Sequence, residues 1–407
     1  MSKMVALPSL VPRYVGRFSC IGGACEDTCC SGWRVDLDQI SFMSYQACPD
    51  PVLKPLFEKY LQRTPGGGTR NRYGTLEKPA GSCQDCPFLD PDRLCRIQAR
   101  LGEAALSDTC ATYPRITLHF SDFHQTILQL SCPEAARLAL LAPDAFELEA
   151  GEILVRPESV IPVGPRSGLD PVAMDAIRCD LYRILDDGEL DLSQRLALIG
   201  FTCKQLSEFL ADPESGSLEE LRATMAALAS TGEVAELLGS QQDRHHAQIR
   251  FSWYFLLALQ LSDLSAHQRR VIGPVATLSP RPDGSLDEVR LIQTLEAGRP
   301  RLEEALGAVP WLLEHYLRNE ALRELFPWGE PDPHQHFTNL LLKFTILRVL
   351  LLSRAAAQEE ILSPQQLADI VQVFCRRHQT GKKIIELIPK DILPGDWTAI
   401  GRLFTLL

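Results

Sequence analysis

The feature that most constrains this chain is the crowding of its cysteines at one end. Of 13 cysteines in 407 residues, ten lie within the first 132 residues. These ten are Cys20, Cys25, Cys29, Cys30, Cys48, Cys83, Cys86, Cys95, Cys110 and Cys132. The others, Cys179, Cys203 and Cys375, are widely spaced and are expected to be buried structural thiols. Thiols gathered this densely indicate either a metal centre or a disulfide framework.

A metal centre is the better of these two interpretations. Residues 1–20 contain neither the apolar segment nor the cleavage site of a signal peptide, so we expect a cytoplasmic protein, where stable disulfides are rare. An odd number of cysteines also suits a disulfide framework poorly. A chain of 407 residues buries enough apolar surface to fold without covalent cross-links. We therefore predict a metal site ligated by thiolates.

The acidic balance of the chain limits the partners that it suits. Its formal charge is −11, and nonspecific nucleic-acid binding depends on Lys and Arg neutralising phosphates, so we expect no nucleic-acid partner. A basic partner or a lysine-bearing substrate is compatible with this charge. The most apolar stretches, residues 251–261 and 337–352, are too short or too interrupted by charge to span a bilayer. They are predicted to be core helices.

A basic run near the C-terminal end leaves one membrane hypothesis open. It consists of Arg376, Arg377, Lys382 and Lys383. Such a run suits a possible peripheral membrane association, and a solvated helix end explains it more simply. The sequence gives no indication of the oligomeric state.

Composition divides the chain into a cysteine-rich metal or iron–sulfur domain over residues 1–150 and an α-helical domain over residues 151–407. The predicted fold class is mainly α, with a small β-hairpin in the N-terminal domain. Residues 116–130 alternate around Ser121-Asp122 and predict that hairpin. Residues 94–106 show helical spacing, and Pro133 is placed to open a further helix.

The second domain is predicted to be helical to its end. Apolar residues recur at intervals of three and four residues, the spacing of one helix face, in seven segments. These are residues 174–185, 192–210, 218–228, 248–261, 286–296, 302–308 and 337–352. The expected N-caps are Ser193, Ser217, Ser265 and Ser363. Three prolines, at positions 274, 280 and 282, predict a linker or long loop.

The cysteine motifs carry the candidate metal ligands. The predicted ligands are Cys20, Cys25, Cys29, Cys30, Cys86, Cys95, Cys110 and Cys132. Cys48 and Cys83 are predicted to be spare. Cys95 lies near the start of its predicted helix, where the helix dipole is expected to lower the thiol pKa. Because eight candidates exceed the four ligands of one cluster, a second ion, such as zinc, is an alternative.

The spacing excludes the standard metal motifs without identifying the metal. Only Cys83 and Cys86 have the CxxC spacing of a zinc site, and the bacterial ferredoxin run is absent. The radical-enzyme pattern CxxxCxxC begins at Cys25 and Cys29 but fails, because the next position is Gly32. Soft thiolates suit both iron–sulfur clusters and zinc, so both remain open.

The motifs, taken together, resemble those of the flagellin lysine-N-methylase family, and the first two clusters are also similar to the cysteine-rich zinc- or iron-chelating proteins. The motifs are Cys25-x3-Cys29-Cys30-x-Gly-Trp, Cys86-x-Phe-Leu-Asp, Leu94-Cys95-Arg-Ile, Leu101-Gly-Glu, Cys110-x-x-Tyr-Pro-Arg115 and Leu130-Ser-Cys-Pro-Glu-Ala-Ala-Arg137. The resemblance covers about residues 13–141. It implies methyl transfer from S-adenosylmethionine to lysine ε-amines of flagellin, and a [4Fe–4S] cluster held by the cysteines.

Residues that could serve such a transfer are few. Trp33 and Tyr113 are candidates for an aromatic wall beside a sulfonium, or for packing over the metal site. Arg115, together with Arg137, is a candidate to offset the charge of the thiolates. A lysine must lose its proton before it is methylated. The other candidates to accept this proton are His119, Asp122, His124 and Glu134. Structural roles are the simpler interpretation of these four residues.

Two classes of function therefore remain. The first is a methyltransferase whose cluster either holds the site together or takes part in the transfer. The second is a zinc- or iron–sulfur-binding protein without methylase activity, with an electron-transfer, chelating or assembly role. No glycine-rich nucleotide motif follows an apolar strand, so a Rossmann methyltransferase fold is not expected.

Overall fold

The computed structural model describes residues 4–32, 35–77, 85–120, 123–165, 168–230, 248–249, 251–253, 255–256, 264–273, 287–378, 403 and 406–407. The chain divides into two compact units. Unit 1 comprises Met1–Leu138 and Phe146–Val163, and unit 2 comprises Ala139–Ala145 and Gly164–Leu407. The sequence division at residue 150 falls inside a strand of unit 1, Leu148–Val155.

Unit 1 contains two β-sheets. Its strands are β1 (Val5–Pro12), β2 (Val35–Leu37), β3 (Leu61–Arg63), β4 (Gly74–Leu76), β5 (Arg115–His119), β6 (His124–Leu128), β7 (Leu148–Val155) and β8 (Ile161–Pro162). The larger sheet has the order β7-β1-β6-β5-β8, and the smaller has the order β2-β4-β3.

The predicted hairpin is confirmed as the antiparallel pair β5 and β6, in which Ile116 lies opposite Ile127. The hairpin is part of a larger, five-stranded sheet, which the sequence pattern did not predict. Strand β1 pairs along its whole length with β7, from Val5 opposite Val155 to Pro12 opposite Leu148, and parallel to β6 at Ser9. This pairing joins residues more than 130 positions apart, which no local pattern reveals.

Short helices complete unit 1. They are α1 (Arg13–Gly16), α2 (Gln39–Gln46), α3 (Leu53–Tyr60), α4 (Arg96–Leu101) and α5 (Asp108–Thr112), and α6 (Pro133–Leu141) begins in this unit. The helix predicted over residues 94–106 is shorter than expected, because Gly102 adopts a φ of +83° and ends it. Pro133 opens α6 as predicted.

An apolar core lies beside the smaller sheet of unit 1. Its largest members are aromatic: the Tyr45 and Phe57 rings stack at 4.5 Å, and Phe57 and Phe88 lie 4.6 Å apart. The Tyr45 hydroxyl donates to the Ala105 carbonyl at 2.8 Å, which satisfies its one buried polar atom. Cys48, Cys86 and Cys95 contact this core, so the cysteine loops are packed against it.

Unit 2 is helical throughout the part that the structure describes. Its helices are α7 (Pro171–Leu185), α8 (Leu192–Ala211), α9 (Leu218–Ser230), α10 (Ala266–Ile272), α11 (Glu288–Gly307), α12 (Leu312–Arg323), α13 (Pro333–Ala356) and α14 (Pro364–His378). Residues 248–249, 251–253 and 255–256 are also helical. The long helix α13 is buried on nearly every face and packs against α8 and α11, as predicted for a core helix.

Some helix bounds and N-caps of unit 2 differ from those predicted. The two segments predicted over residues 286–296 and 302–308 are one helix, α11, which continues through Pro300. Asp191 caps α8 in place of the expected Ser193, whereas Ser265 caps α10 as predicted. The predicted linker prolines, at 274, 280 and 282, lie outside the described residues.

None of the described helices is both long enough and apolar enough to cross a membrane. Of the basic run, Lys382 and Lys383 lie outside the described residues. Arg376 is only 9% exposed, which leaves it little surface to offer to a membrane.

Candidate metal centre and adjoining cavity

Four of the predicted ligands form one group in unit 1, defined here as the four-cysteine group: Cys30, Cys86, Cys95 and Cys110. The segments around Cys30 and Cys86 run side by side, because Cys86 N–H donates to the Cys30 carbonyl at 2.6 Å. Ser31 and Asp85 form an antiparallel bridge next to it. The sulfurs of the group are close enough for each charge to affect the pKa values of the others.

A closed loop explains the spacing between Cys86 and Cys95. The Asp90 side chain accepts from Leu94 N–H at 2.7 Å, and Asp90 N–H donates to the Leu94 carbonyl at 2.9 Å. Arg93, with a φ of +62°, turns the chain back. Cys95 thereby forms a bridge to Leu89, and this short loop returns it to the neighbourhood of Cys86.

The four thiols are held in a desolvated environment. Burial is the largest cause of the raised pKa values, and it brings the pKa of Cys86 to about 12. The pKa of Cys110 also rises to about 12, because its sulfur is desolvated. The rest of this residue is exposed to solvent. Neighbouring cysteines raise these pKa values further. A bound cation would lower the pKa values of these thiols and so stabilise them as thiolates.

Backbone donors surround the sulfurs. The N–H of Phe88 favours the Cys86 thiolate, and Ser107 acts in the same sense on Cys110. At Cys95, the N-cap of α4, the N–H groups of Ile97 and Gln98 favour the thiolate without making a full capping hydrogen bond. The start of the helix therefore lowers the pKa of Cys95 as predicted, but burial outweighs this and the pKa is raised overall. Hydrogen bonds to sulfur are typical of iron–sulfur sites.

The spread of the sulfurs bears on the choice of metal. Among the described residues, no three cysteine sulfurs all lie within 4.8 Å of one another. A single tetrahedral zinc, with bonds of 2.3 Å, needs its sulfurs about 3.8 Å apart. A cubane cluster holds its cysteines at separate corners and therefore farther apart. Four cysteines are the ligand set of a four-iron cluster, and thiolates suit zinc as well.

A second group, defined here as the three-cysteine group, consists of Cys20, Cys25 and Cys132. Cys132 directly precedes α6, and burial raises its pKa to about 11, with added contributions from Cys25 and Cys20. The N–H groups of Glu134 and Ala135, in the first turn of α6, act in the opposite sense. Cys29 lies between the two groups in sequence, and its sulfur is half-buried.

Arg115 lies beside the three-cysteine group. Desolvation lowers the pKa of its guanidinium, while Glu103, Cys20 and Cys132 act to raise it. The guanidinium lies over the Phe18 ring, 4.9 Å from its centroid. A guanidinium desolvated in this way can bind an anion, in competition with the neighbouring Glu103 carboxylate.

A cavity of about 350 Å³ opens next to Arg115 in unit 1. Its walls include Phe18, Glu103 and Glu152 as well as residues of β1, β5, β6 and β7. Arg156 also lines it, but its guanidinium donates to the Leu106 carbonyl at 2.7 Å and to Asp108 at 3.0 Å. The volume lies in the range of small-molecule sites, and the walls offer both a cation and carboxylates.

The other candidates have more ordinary surroundings. The Tyr113 hydroxyl lies 3.1 Å from the Ser131 hydroxyl, and Arg137 pairs with Glu26 and, at 2.8 Å, with Glu134. Arg137 is therefore occupied by carboxylates rather than by thiolates. The His119 and His124 rings stack, with their centroids 4.4 Å apart. Cys48 is buried in the apolar core. The other predicted residues, Trp33, Cys83 and Asp122, lie outside the described residues.

Unit 2 contains a buried charged network that the sequence analysis missed. The Arg323 guanidinium binds both oxygens of Glu320, at 3.0 and 2.7 Å, and also Glu324 at 2.5 Å. Lys343 pairs with Glu324, and Cys375 lies close to the network. Glu320 is fully buried. The only sequence signal was Cys375 and His378, three apart on one helix face.

Comparison with known proteins gives one family match and three related proteins. Residues 181–406 match the family described as FliB lysine N-methylase C-terminal domain. Proteins named lysine-N-methylase, from Salmonella typhimurium strain LT2 and Salmonella choleraesuis strain SC-B67, are each 30% identical over 229 residues, which is 56% of this chain and 55% of theirs. The flagellar biosynthetic protein FliU of Salmonella muenchen is 36% identical over 137 residues, 34% of this chain and 79% of its own. The chain spans about half the length of the two lysine-N-methylases. No solved structure matches it.

Proposed function

The chain belongs to the FliB lysine N-methylase family, and from that premise we propose that it methylates lysine ε-amines of flagellin. The observation that carries this proposal is the family match over residues 181–406, more than half of the chain. The names of the relatives, lysine-N-methylase and flagellar biosynthetic protein, support a flagellar lysine substrate. An acidic protein with a charge of −11 also suits a substrate that presents lysines.

We propose the four-cysteine group as the site of a [4Fe–4S] cluster, with zinc as the alternative. Four cysteines are the ligand set of such a cluster, and the N–H donors around Cys86 and Cys95 support it. When bound, the cluster would cross-link the Cys30 segment, the loop from Cys86 to Cys95 and helix α5, which carries Cys110. The cysteines that the structure describes are all free thiols, which supports a reducing, cytosolic setting.

We further propose the cavity beside Arg115 as the place of methyl transfer, with S-adenosylmethionine as the donor. Arg115 would bind the carboxylate of the donor through paired hydrogen bonds. Glu103 and Glu152, on the walls, would attract both the sulfonium and the incoming lysine. Phe18 adds an aromatic face to the same wall.

The chemistry asked of these residues is limited. The lysine must first lose a proton, which the Glu103 carboxylate can accept. The nitrogen lone pair then attacks the methyl carbon, and the carbon–sulfur bond breaks with its electrons remaining on sulfur. A thioether leaves, and a methylated amine remains. The cavity contributes by orienting the two reactants and by excluding water.

The test is transfer of labelled methyl groups from S-adenosylmethionine to flagellin by the full chain, reconstituted anaerobically with iron and sulfide. We compare the unchanged protein with Arg115→Ala and with Arg63→Ala, an exposed arginine of unit 1 away from the cavity. Wild type and Arg63→Ala should label flagellin lysines, while Arg115→Ala should be slower by about 10²-fold. If metal-loaded wild type transfers no label to flagellin, the methylase proposal is overturned. Equal rates for Arg115→Ala and wild type would overturn only the placement of the site.

A further inference from the structure

Three potential metal ligands meet inside unit 2, far in sequence from the cysteine motifs. Ligand atoms of Glu320, Cys375 and His378 all lie within 4.8 Å of one another. Glu320 comes from α12, and Cys375 and His378 come from the last turn of α14. Glu320 and Cys375 are fully buried, and the His378 side chain is 9% exposed. Carboxylate, thiolate and imidazole are the three ligand types that zinc takes in proteins.

The hydrogen bonding of His378 leaves its second ring nitrogen facing Glu320. His378 Nδ1 lies 2.8 Å from the Phe374 carbonyl oxygen, and because a carbonyl only accepts, Nδ1 carries the ring proton. In the neutral ring Nε2 is then an acceptor, yet it faces a Glu320 carboxylate oxygen at 3.5 Å. Nε2 makes no hydrogen bond in the described structure. The Nε2 lone pair and the Glu320 carboxylate therefore face one position, where either a proton or a metal ion can join them.

The distance itself suits a shared metal ion. Two ligands bound to a tetrahedral zinc at about 2.1 Å lie about 3.4 Å apart, close to the 3.5 Å between Nε2 and the Glu320 oxygen. The bond from Nδ1 to a backbone carbonyl is the arrangement that orients a metal-binding histidine. His336 offers a contrast in the same network. Its Nδ1 has no hydrogen-bond partner, so Nε2 can carry the proton and donate to Glu324 at 3.5 Å.

The charges around the three ligands leave room for a divalent ion. Arg323 binds both Glu320 oxygens, and a carboxylate has about four lone-pair positions in all. Without a metal, Glu320 and Glu324 balance Arg323 and Lys343. A divalent ion bound by the Cys375 thiolate adds one positive charge, which an anionic fourth ligand would cancel.

Tyr316 is a candidate for that fourth place. It is fully buried, and its hydroxyl has no hydrogen-bond partner in the described structure. Burial, together with the charges of Glu320 and Cys375, holds the pKa of this hydroxyl well above its usual range. A buried hydroxyl without a partner is costly, and a metal ion or its bound water would satisfy it.

We propose that Glu320, Cys375 and His378 bind one zinc-class divalent ion, with Tyr316 facing the fourth position. The ion would join α12 to α14 inside the domain that defines the family. This site is separate from both cysteine groups of unit 1.

The test is the metal content of the full chain after incubation with excess Zn²⁺ and gel filtration. Four proteins are compared: wild type, His378→Gln, Cys375→Ala, and His336→Gln as the matched control from the same network. Wild type and His336→Gln should retain one more zinc ion per chain than His378→Gln and Cys375→Ala. The cysteines of unit 1 are unchanged in all four, so their metal cancels in the difference.

His378→Cys, which replaces one zinc ligand by another, decides the matter where His378→Gln fails to fold. It should restore the zinc ion, because a second thiolate can occupy the same position. Equal zinc content in wild type, His378→Gln and Cys375→Ala would overturn the proposal, as would a His378→Cys protein that folds and carries no additional zinc. Neither readout depends on methylase activity.

Discussion

In unit 1 the desolvated polar groups of the candidate site are thiols carried by short loops, whereas in unit 2 they are carboxylates and cations carried by long helices. The four-cysteine group has no cation among its own members, and desolvation keeps its thiols protonated. The network of unit 2 contains Arg323 and Lys343 opposite Glu320 and Glu324. Among the described residues, the buried charges of unit 2 balance one another, whereas in unit 1 the proposed bound ion would balance the thiolates.

This difference follows from the length of the supporting elements. A helix places charges at fixed three- and four-residue spacing, so Glu320, Arg323 and Glu324 meet along one face. A loop imposes no such spacing, and the loops carrying Cys30 and Cys86 are joined by few backbone hydrogen bonds. Metal binding then contributes to folding itself.

The largest expected effect is the loss of metal from unit 1. Cys86→Ala removes one ligand of the four-cysteine group and should abolish most of the iron and the broad visible absorbance of the reconstituted protein. Cys48→Ala is the matched control, since Cys48 is buried in the neighbouring apolar core. Elemental analysis and absorbance of the two proteins give the answer. Full iron content in Cys86→Ala would remove this cysteine from the cluster site.

The second-largest expected effect is on the free energy of unfolding, through the buried ion pairs of unit 2. Arg323→Met leaves Glu320 and Glu324 buried without their guanidinium, and should lower the free energy of unfolding by about 3–5 kcal/mol. Arg299→Met is the control: Arg299 pairs with Glu296 at the same spacing, at 2.7 Å, but near the surface. Its loss should be at most about 1 kcal/mol. Denaturant unfolding of both variants tests the difference, and equal losses would contradict the argument from burial.

The smallest expected effect concerns helix packing rather than charge. A Cβ at Gly200, in α8, would meet the Phe337 ring of α13 at 2.6 Å. Gly200→Ala should therefore lower the free energy of unfolding by about 1–3 kcal/mol through overpacking.

A matched glycine substitution should act in the opposite direction. A Cβ at Gly307, in α11, meets nothing within 4 Å. Gly307→Ala should be neutral or stabilising by up to about 1 kcal/mol, because alanine is the better helix former. Thermal unfolding of both variants gives the comparison, and a stabilised Gly200→Ala would show that the Phe337 ring moves at little cost.

Local elements were largely predictable. Helical spacing predicted most of the helices of unit 2, and the alternation over residues 116–130 predicted the β5–β6 hairpin. Each of these rests on neighbours a few positions apart. The pairing of β1 with β7 and the continuation of α11 through Pro300 were not predicted, because long-range packing decided both.

The candidate sites divide in the same way. The residue types in the N-terminal motifs, without any structure, led to the prediction of a thiolate metal site and to the family resemblance. The grouping of Cys30, Cys86, Cys95 and Cys110 apart from Cys20, Cys25 and Cys132 was not predictable, nor was the meeting of Glu320 with Cys375 and His378. Spacing along the chain describes only what a turn or a helix brings together. Which distant sulfurs, carboxylates and rings share one desolvated space depends on how the packed elements close on one another.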